Sequence, residues 1–164
     1  MASCLLFTLL FCSMFIGANT QCASRASFYT CSPGWTRYGH HCYQFHRTER
    51  NWVSAEHVCA LQRGTLASIK NTATYIFLTN FIHRAVRFHK RTWVGGHYVA
   101  KYRVWQWTDG SRFVFNGWGR GEPNNVRGRE HCMEMNLRGA YFANDEGCWR
   151  RNSFVCQKRA TKIW

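Results

Sequence analysis

The sequence is short of acid. Eight Asp and Glu stand against 22 Lys and Arg, leaving a formal net charge of +14. Proline is scarcer still, with two in 164 residues, and no Pro-rich linker, internal repeat or low-complexity tract divides the chain. That length and continuity fit one domain with a single core. Past residue 18 no apolar run is long enough to cross a bilayer. No GxSxG, HExxH or P-loop occurs, and no CxxC pair suggests zinc. These gaps exclude common hydrolase, metalloprotease and nucleotide-binding arrangements, and the chain reads as no enzyme.

What is present begins with a leader. Residues 1–18, MASCLLFTLLFCSMFIGA, carry no charge and have a strongly apolar middle, with small residues at Gly17 and Ala18. This reads as a secretory signal over 1–20, cut after Ala18 or Thr20. Residues 21–30 then form an extension holding Cys22, 31–158 a packed domain, and 159–164 a short basic tail. A secreted, extracellular protein with no membrane span is expected. Seven cysteines follow the leader, at 22, 31, 42, 59, 132, 148 and 156. In an oxidising compartment they read as a disulfide framework with one thiol left over, and many pairings are open. The basic balance favours anionic partners such as microbial surfaces or sulfated glycans, though it also serves plain solubility. Nucleic acid is not expected as a partner of such a chain.

Local patterns predict an α+β fold. CSPGW (31–35) is a turn before alternating residues around HCYQF (41–45), a first strand. Residues 52–62 put Trp52, Ala55 and Cys59 on one helical face, with Asn51 as cap and Gly64 as stop. Asn71 caps a second helix to about Ala85, with Tyr75, Leu78 and Ile82 inward. RTWVGG, YRVWQW, RFVF, HCMEMNL, AYFA and SFVCQ follow as short β-type runs between Gly, Asp and Asn turns. Two early helices and many late strands point to one α+β domain.

These fragments, in this order, resemble the C-type lectin-like domain. The resemblance rests on CSPGW, CYQF, the helix with Trp52 and Cys59, LASI (66–69), WVGG (93–96), WQWTDGS (105–111) and GW (117–118). EPN (122–124), EHC (130–132), ND (144–145) and FVCQK (154–158) complete it. The short secreted format is similar to soluble fish lectins and to regenerating-islet-type lectins. The resemblance implies a double-loop fold of two helices and short antiparallel sheets, stabilised by disulfides Cys31–Cys42, Cys59–Cys156 and Cys132–Cys148. Cys22 is then unpaired and available for an intermolecular bond in a disulfide-linked homodimer.

The scarce acids now acquire a meaning. Calcium takes six to eight oxygen ligands, and the resemblance implies one Ca2+ site that also binds sugar. Its ligands are Glu122, Asn124, Glu130, Asn144 and Asp145, with Pro123 cis. Mixed acids and amides suit sugar hydroxyls, which donate to a carboxylate and accept from an amide. Glu-Pro-Asn-Asn by itself is also an ordinary turn sequence. The acid-first order Glu122, Asn124 implies mannose, fucose and N-acetylglucosamine ligands rather than galactose. Ala143 stands where the family has Trp, which loosens the expected packing behind two ligands. No acid precedes Asp109 in the long loop, and Asn125 and His131 replace carboxylates, so a single calcium is expected. His40, His41 and His46 read as solvated, whereas Arg127 and Arg129 flank the loop and Arg84, Arg87, Lys90 and Arg91 cluster at a helix end. The expected function is a secreted, calcium-dependent lectin of innate defence. The alternative is a cationic antimicrobial, ice-binding or mineral-matrix protein on the same fold.

Overall fold

The structure is a computed structural model that describes residues 28–136 and 142–163. The leader and Cys22 lie outside them. Asn51 begins the first helix, α1 (Trp52–Leu61), by accepting the Ser54 N–H at 2.8 Å. The helix turns Trp52, Ala55 and Cys59 into the core. Asn71 does the same for α2 (Thr72–Val86), accepting from Thr74, and Leu78 and Ile82 are its buried stripe. Tyr75 is only half-buried. Arg87, in the left-handed region at φ 66°, ends α2.

The strands are β1 (Phe28–Thr30), β2 (Thr36–Tyr38), β3 (His41–Arg50), β4 (Thr65–Leu66), β5 (Thr92–Val99), β6 (Val104–Trp107), β7 (Cys132–Met135), β8 (Ala143–Glu146), β9 (Asn152–Arg159) and β10 (Thr161–Ile163). The main sheet runs β2-β3-β9-β5-β7-β8, with β4 on β9 and β6 on β5. The pairing of β5 with β9 is parallel and the other strand pairings among the described residues are antiparallel, while an isolated bridge between Trp118 and Ala143 is also parallel. The sheets are therefore mixed, not purely antiparallel, because a chain segment containing β6, β7 and β8 separates β5 from β9. At the ends, Phe28–Thr30 of the extension and Thr161–Ile163 of the tail pair as a separate two-stranded sheet.

The RFVF run (112–115) is not a strand. It has the alternation of one, with Arg112 and Val114 outward, but no neighbouring backbone pairs with it. Phe113 and Phe115 instead pack among Trp105, Trp107 and Trp118, with ring centroids 4.7–6.3 Å apart.

Three disulfides join Cys31–Cys42, Cys59–Cys156 and Cys132–Cys148. The WVGG stretch is a fully buried part of β5. At Gly95 a Cβ would lie 2.8 Å from the Leu66 carbonyl oxygen, so only glycine lets β5 approach β4 so closely. Trp52 Nε1 donates to the Val94 carbonyl at 2.9 Å, which fixes α1 against the same strand.

Two carboxylates are fully buried in this sheet, Asp145 on β8 and Glu134 on β7. Glu134 on β7 has no solvent exposure and accepts from Arg91 Nε (2.8 Å), Asn152 Nδ2 (2.6 Å) and Asn144 Nδ2 (3.2 Å). Burial pushes its carboxyl pKa up, while Arg91 and the two amides act against that rise. Arg91 also reaches Glu146 at 2.7 Å. We expect Glu134→Ala to cost about 3 kcal/mol, the low end for breaking a buried pair, because Arg91 stays partly exposed. Urea unfolding of the two proteins measures it, and a cost below about 1 kcal/mol would remove the network's structural role.

Candidate functional site

The site is built where a long loop lies down on β8. The loop's entry is tied there by backbone bonds, Gly119 N to Ala143 O at 2.8 Å and Ala143 N to Gly117 O at 3.2 Å. Ala143 is itself fully buried in a cluster against which Trp118 and Phe115 pack. Phe142 beside it is half exposed. Cys132–Cys148 closes the opposite end, two residues beyond Glu130.

Asp145 organises the loop's tip. Its Oδ1 accepts the Asn124 N–H at 3.0 Å and its Oδ2 the Asn125 N–H at 2.7 Å. The Glu122–Pro123 bond before them is cis. Asn124 Oδ1 and Glu130 Oε2 both accept the Val126 N–H, each at 3.1 Å. Val126 opens a short 3-10 turn (Val126–Gly128), and Asn125 Oδ1 caps back onto the Glu130 N–H at 3.0 Å. Glu122, Asn124, Glu130 and Asp145 are thus drawn to one face of the loop. Asn144 is adjacent on β8, but its amide nitrogen is turned to Glu134.

The electrostatics of this face are unfavourable without a counter-charge. Glu122 Oε2 is buried and meets no hydrogen-bond donor. Burial and then the neighbouring Asp145 carboxylate push the Glu122 pKa up to about 7. The residue as a whole remains part-exposed, and it is the one enclosed oxygen that carries the desolvation. Glu130 is raised as well, by burial first, then by Glu146 and Asp145, against the Val126 N–H that lowers it. Among the described residues no three carboxylates, imidazoles or thiols converge into a cation cage by themselves. Glu122 feels Asp145 and then Glu130, and Glu130 feels Glu146 and Asp145. Amide oxygens are the remaining donors close by.

A depression of about 170 Å³ opens beside the acids, lined by Tyr98, Trp105, Pro123, Asn125, Glu130 and Asp145. Tyr98 and Trp105 were not legible as site residues. They lie in β5 and β6, far along the chain, though Trp105 shares strand parity with the buried Trp107. The other candidates go elsewhere. Lys90 pairs with the exposed Glu49 at 2.7 Å and Arg91 with Glu134 and Glu146, so two of the four helix-end cations already have acid partners. Arg127 and Arg129 are exposed on the loop. His46 stacks on Phe154, with centroids 4.5 Å apart, and its pKa is lowered by burial.

Comparison with known proteins places this geometry. The family profile described as "Lectin C-type domain" matches residues 48–158. The galactose-specific lectin nattectin of Thalassophryne nattereri is 40% identical over 152 residues, covering 93% of each chain. Ladderlectin of Oncorhynchus mykiss is 39% identical over 124 residues, 76% of this chain and 64% of that one. Among solved structures, the cow C-type carbohydrate-recognition domain of CD23, in the presence of a GlcNAc2Man3 oligosaccharide, superposes with a TM-score of 0.73. It is 29% identical and covers 82% of this chain and 99% of its own. The match runs through both helices, strands β4 to β8, most of β9 and the loop just described, and the chain belongs to the C-type lectin domain family, whose members are not enzymes.

Proposed function

We propose that the loop face is a calcium-dependent sugar site, and that the protein is a secreted lectin recognising glycans on microbial or glycoprotein surfaces. The observation that carries this is the buried, donor-less Glu122 Oε2 set against Asp145. Such a pair needs a proton or a cation between its oxygens, and the nearby amide oxygens make the donor set hard and oxygen-rich, as calcium prefers. Glu122, Asn124, Glu130, Asp145 and the carbonyl oxygen of Asn144 would hold the ion. When bound, calcium supplies positions that two neighbouring sugar hydroxyls complete. The chain's own part is to orient those hydroxyls. Glu122 and Glu130 accept their protons, and Asn124 offers its amide, since Asn144 has given its own to Glu134. Tyr98 and Trp105 present an apolar wall to the ring. An apolar leader and three disulfides suit an extracellular setting.

Two readings of specificity compete. Acid-first Glu122 and Asn124 favour mannose, fucose and N-acetylglucosamine. The galactose specificity of nattectin, 40% identical over nearly the whole chain, favours galactose. We hold to the mannose-type reading because the order of acid and amide sets the sense of the hydrogen bonds. A mismatched hydroxyl strands a buried group at roughly 1–3 kcal/mol, about tenfold in affinity.

Calcium is expected to bind once per domain, at ~0.1–1 mM. Glu130→Ala and Asp145→Ala should each abolish chelator-sensitive retention on mannan while circular dichroism stays native. Retention equal to the unmodified protein in both would remove the site. In competition assays mannose and fucose should outperform galactose, and Glu122→Gln with Asn124→Asp should move the preference towards galactose. Galactose winning on the unmodified protein would replace the mannose-type reading and leave the ion site standing.

In the folded protein the Glu122 carboxyl is pushed up to about 7, well above the ordinary glutamate value of 4.5. Between those limits the native state holds a proton that the unfolded chain has released, so this group's contribution to stability falls as pH rises. Removing the carboxylate isolates this contribution. In chelator, the melting temperature of Glu122→Gln relative to the unmodified protein should climb from pH 4.5 to 7. A difference that is flat with pH would mean the carboxylate pair is not strained.

A further inference from the structure

Away from the loop, a second concentration of charge lies where α1, β4 and the end of β9 meet. A Cβ on Gly64 would sit 2.3 Å from the Gln157 carbonyl oxygen, so a bare glycine is what lets the α1–β4 turn close onto β9. That closure sets Arg63, itself in the left-handed region at φ 59°, beside the end of β9. An open cleft of about 410 Å³ results, lined by Arg63, Lys70, Lys158, Arg159, His41 and Asp109 among others. Four cations face a single carboxylate.

That carboxylate is fully used. Asp109 accepts from Ser111 N (2.9 Å), Ser111 Oγ (2.6 Å), Gln157 Nε2 (3.0 Å) and Lys70 Nζ (3.1 Å). Burial alone would raise its pKa, but the Ser111 bonds and Lys70 hold it down at about 2. Asp109 therefore fixes Lys70 in place. Lys158 is held over the Trp35 ring, 4.1 Å from the centroid. Arg63 and Arg159 are exposed and have no acid partner among the described residues. His41, on the same wall, has its pKa lowered by burial and then by Lys70 and Arg159, the mark of a positive field.

We propose that this cleft binds a sulfate or phosphate ester carried on a saccharide, without calcium and separately from the loop. Guanidinium groups match tetrahedral oxyanions with paired N–H donors, and Arg63 and Arg159 are the two free forks. Lys70 and Lys158 add point charges on anchored stems. The cleft is in the size range that holds a small ligand. The loop face cannot take this role, because its carboxylates repel the esters that the cleft attracts. One molecule thus offers two sites of opposite chemistry.

The test is calorimetry in chelator, which silences the loop, with a heparin-derived hexasaccharide in one arm and mannose 6-phosphate in the other. Binding in either arm is expected, and the tighter arm assigns the ester. Arg63→Gln with Arg159→Gln should weaken it by about tenfold or more. Arg84→Gln with Lys101→Gln removes equal charge from exposed positions elsewhere and should change it by less than about twofold. The His41 imidazole, followed by NMR, should titrate at higher pH with ligand bound. Arg159→Glu alone serves if the double variant does not fold, and it should lose binding more completely. No binding in either arm, equal losses from both pairs, or an unmoved His41 titration would each overturn the proposal.

Discussion

Strand β9 is the constraint on which the rest of the molecule hangs. It pairs with β3 and β4 antiparallel and with β5 in parallel, and Cys156 at its centre is bonded to Cys59 on α1. That bond spans 97 residues, a closure that in the chain-entropy view contributes about 4–5 kcal/mol. With the chain's late strand threaded between its early ones, β5 has a fixed edge on which β7 and then β8 are laid. The loop site exists because β8 arrives there. Both ends of the charge network, Asn152 on β9 and Asn144 on β8, are then within reach of the same buried carboxylate.

The acids follow a division of labour that their scarcity makes visible. Glu122, Glu130, Glu134, Asp145 and Glu146 all gather at β7, β8 and the loop above them. Of the other three, Glu49 pairs with Lys90, Glu56 accepts the Leu66 N–H at 2.7 Å, and Asp109 anchors Lys70. Cations outnumber these partners, so they accumulate wherever the fold leaves them unpaired. A carboxylate-rich loop and a guanidinium-rich cleft are two consequences of one imbalance. The ligands proposed for them differ accordingly: hydroxyls oriented through a hard cation at one, oxyanions taken directly at the other.

Arg91 links the buried network to the loop face. It holds Glu134 and Glu146 together, and Glu146 in turn lies against Glu130. Glu134 also dictates which atom Asn144 turns outward, by engaging its amide nitrogen. The loop's hydrogen-bonding character is therefore set partly by a side chain that no ligand touches, through the orientation of one that a ligand would.

Local chemistry was legible in the sequence. Asn51 and Asn71 announce both helices because an Asn before an apolar face caps the backbone beside it. The inward residues Trp52, Ala55, Cys59, Leu78 and Ile82 follow from helical spacing alone. The ordered run of motifs carried the family and the three cysteine pairs. What the sequence could not reveal was decided by contacts between distant segments. RFVF has a strand's alternation, yet its partners are rings, not backbone. Glu134 reads as one polar residue in an apolar strand until Arg91, Asn144 and Asn152 are brought around it. Tyr98 and Trp105 line the loop's depression only because β5 and β6 pass beside it, and Arg63 shares a cleft with Arg159 only because β4 pairs with β9. Periodicity and capping act over one or two turns of chain, so the sequence by itself determined the elements. Which side chains share a cavity depends on where sheet register and disulfides bring those elements together, and that was decided by the tertiary structure.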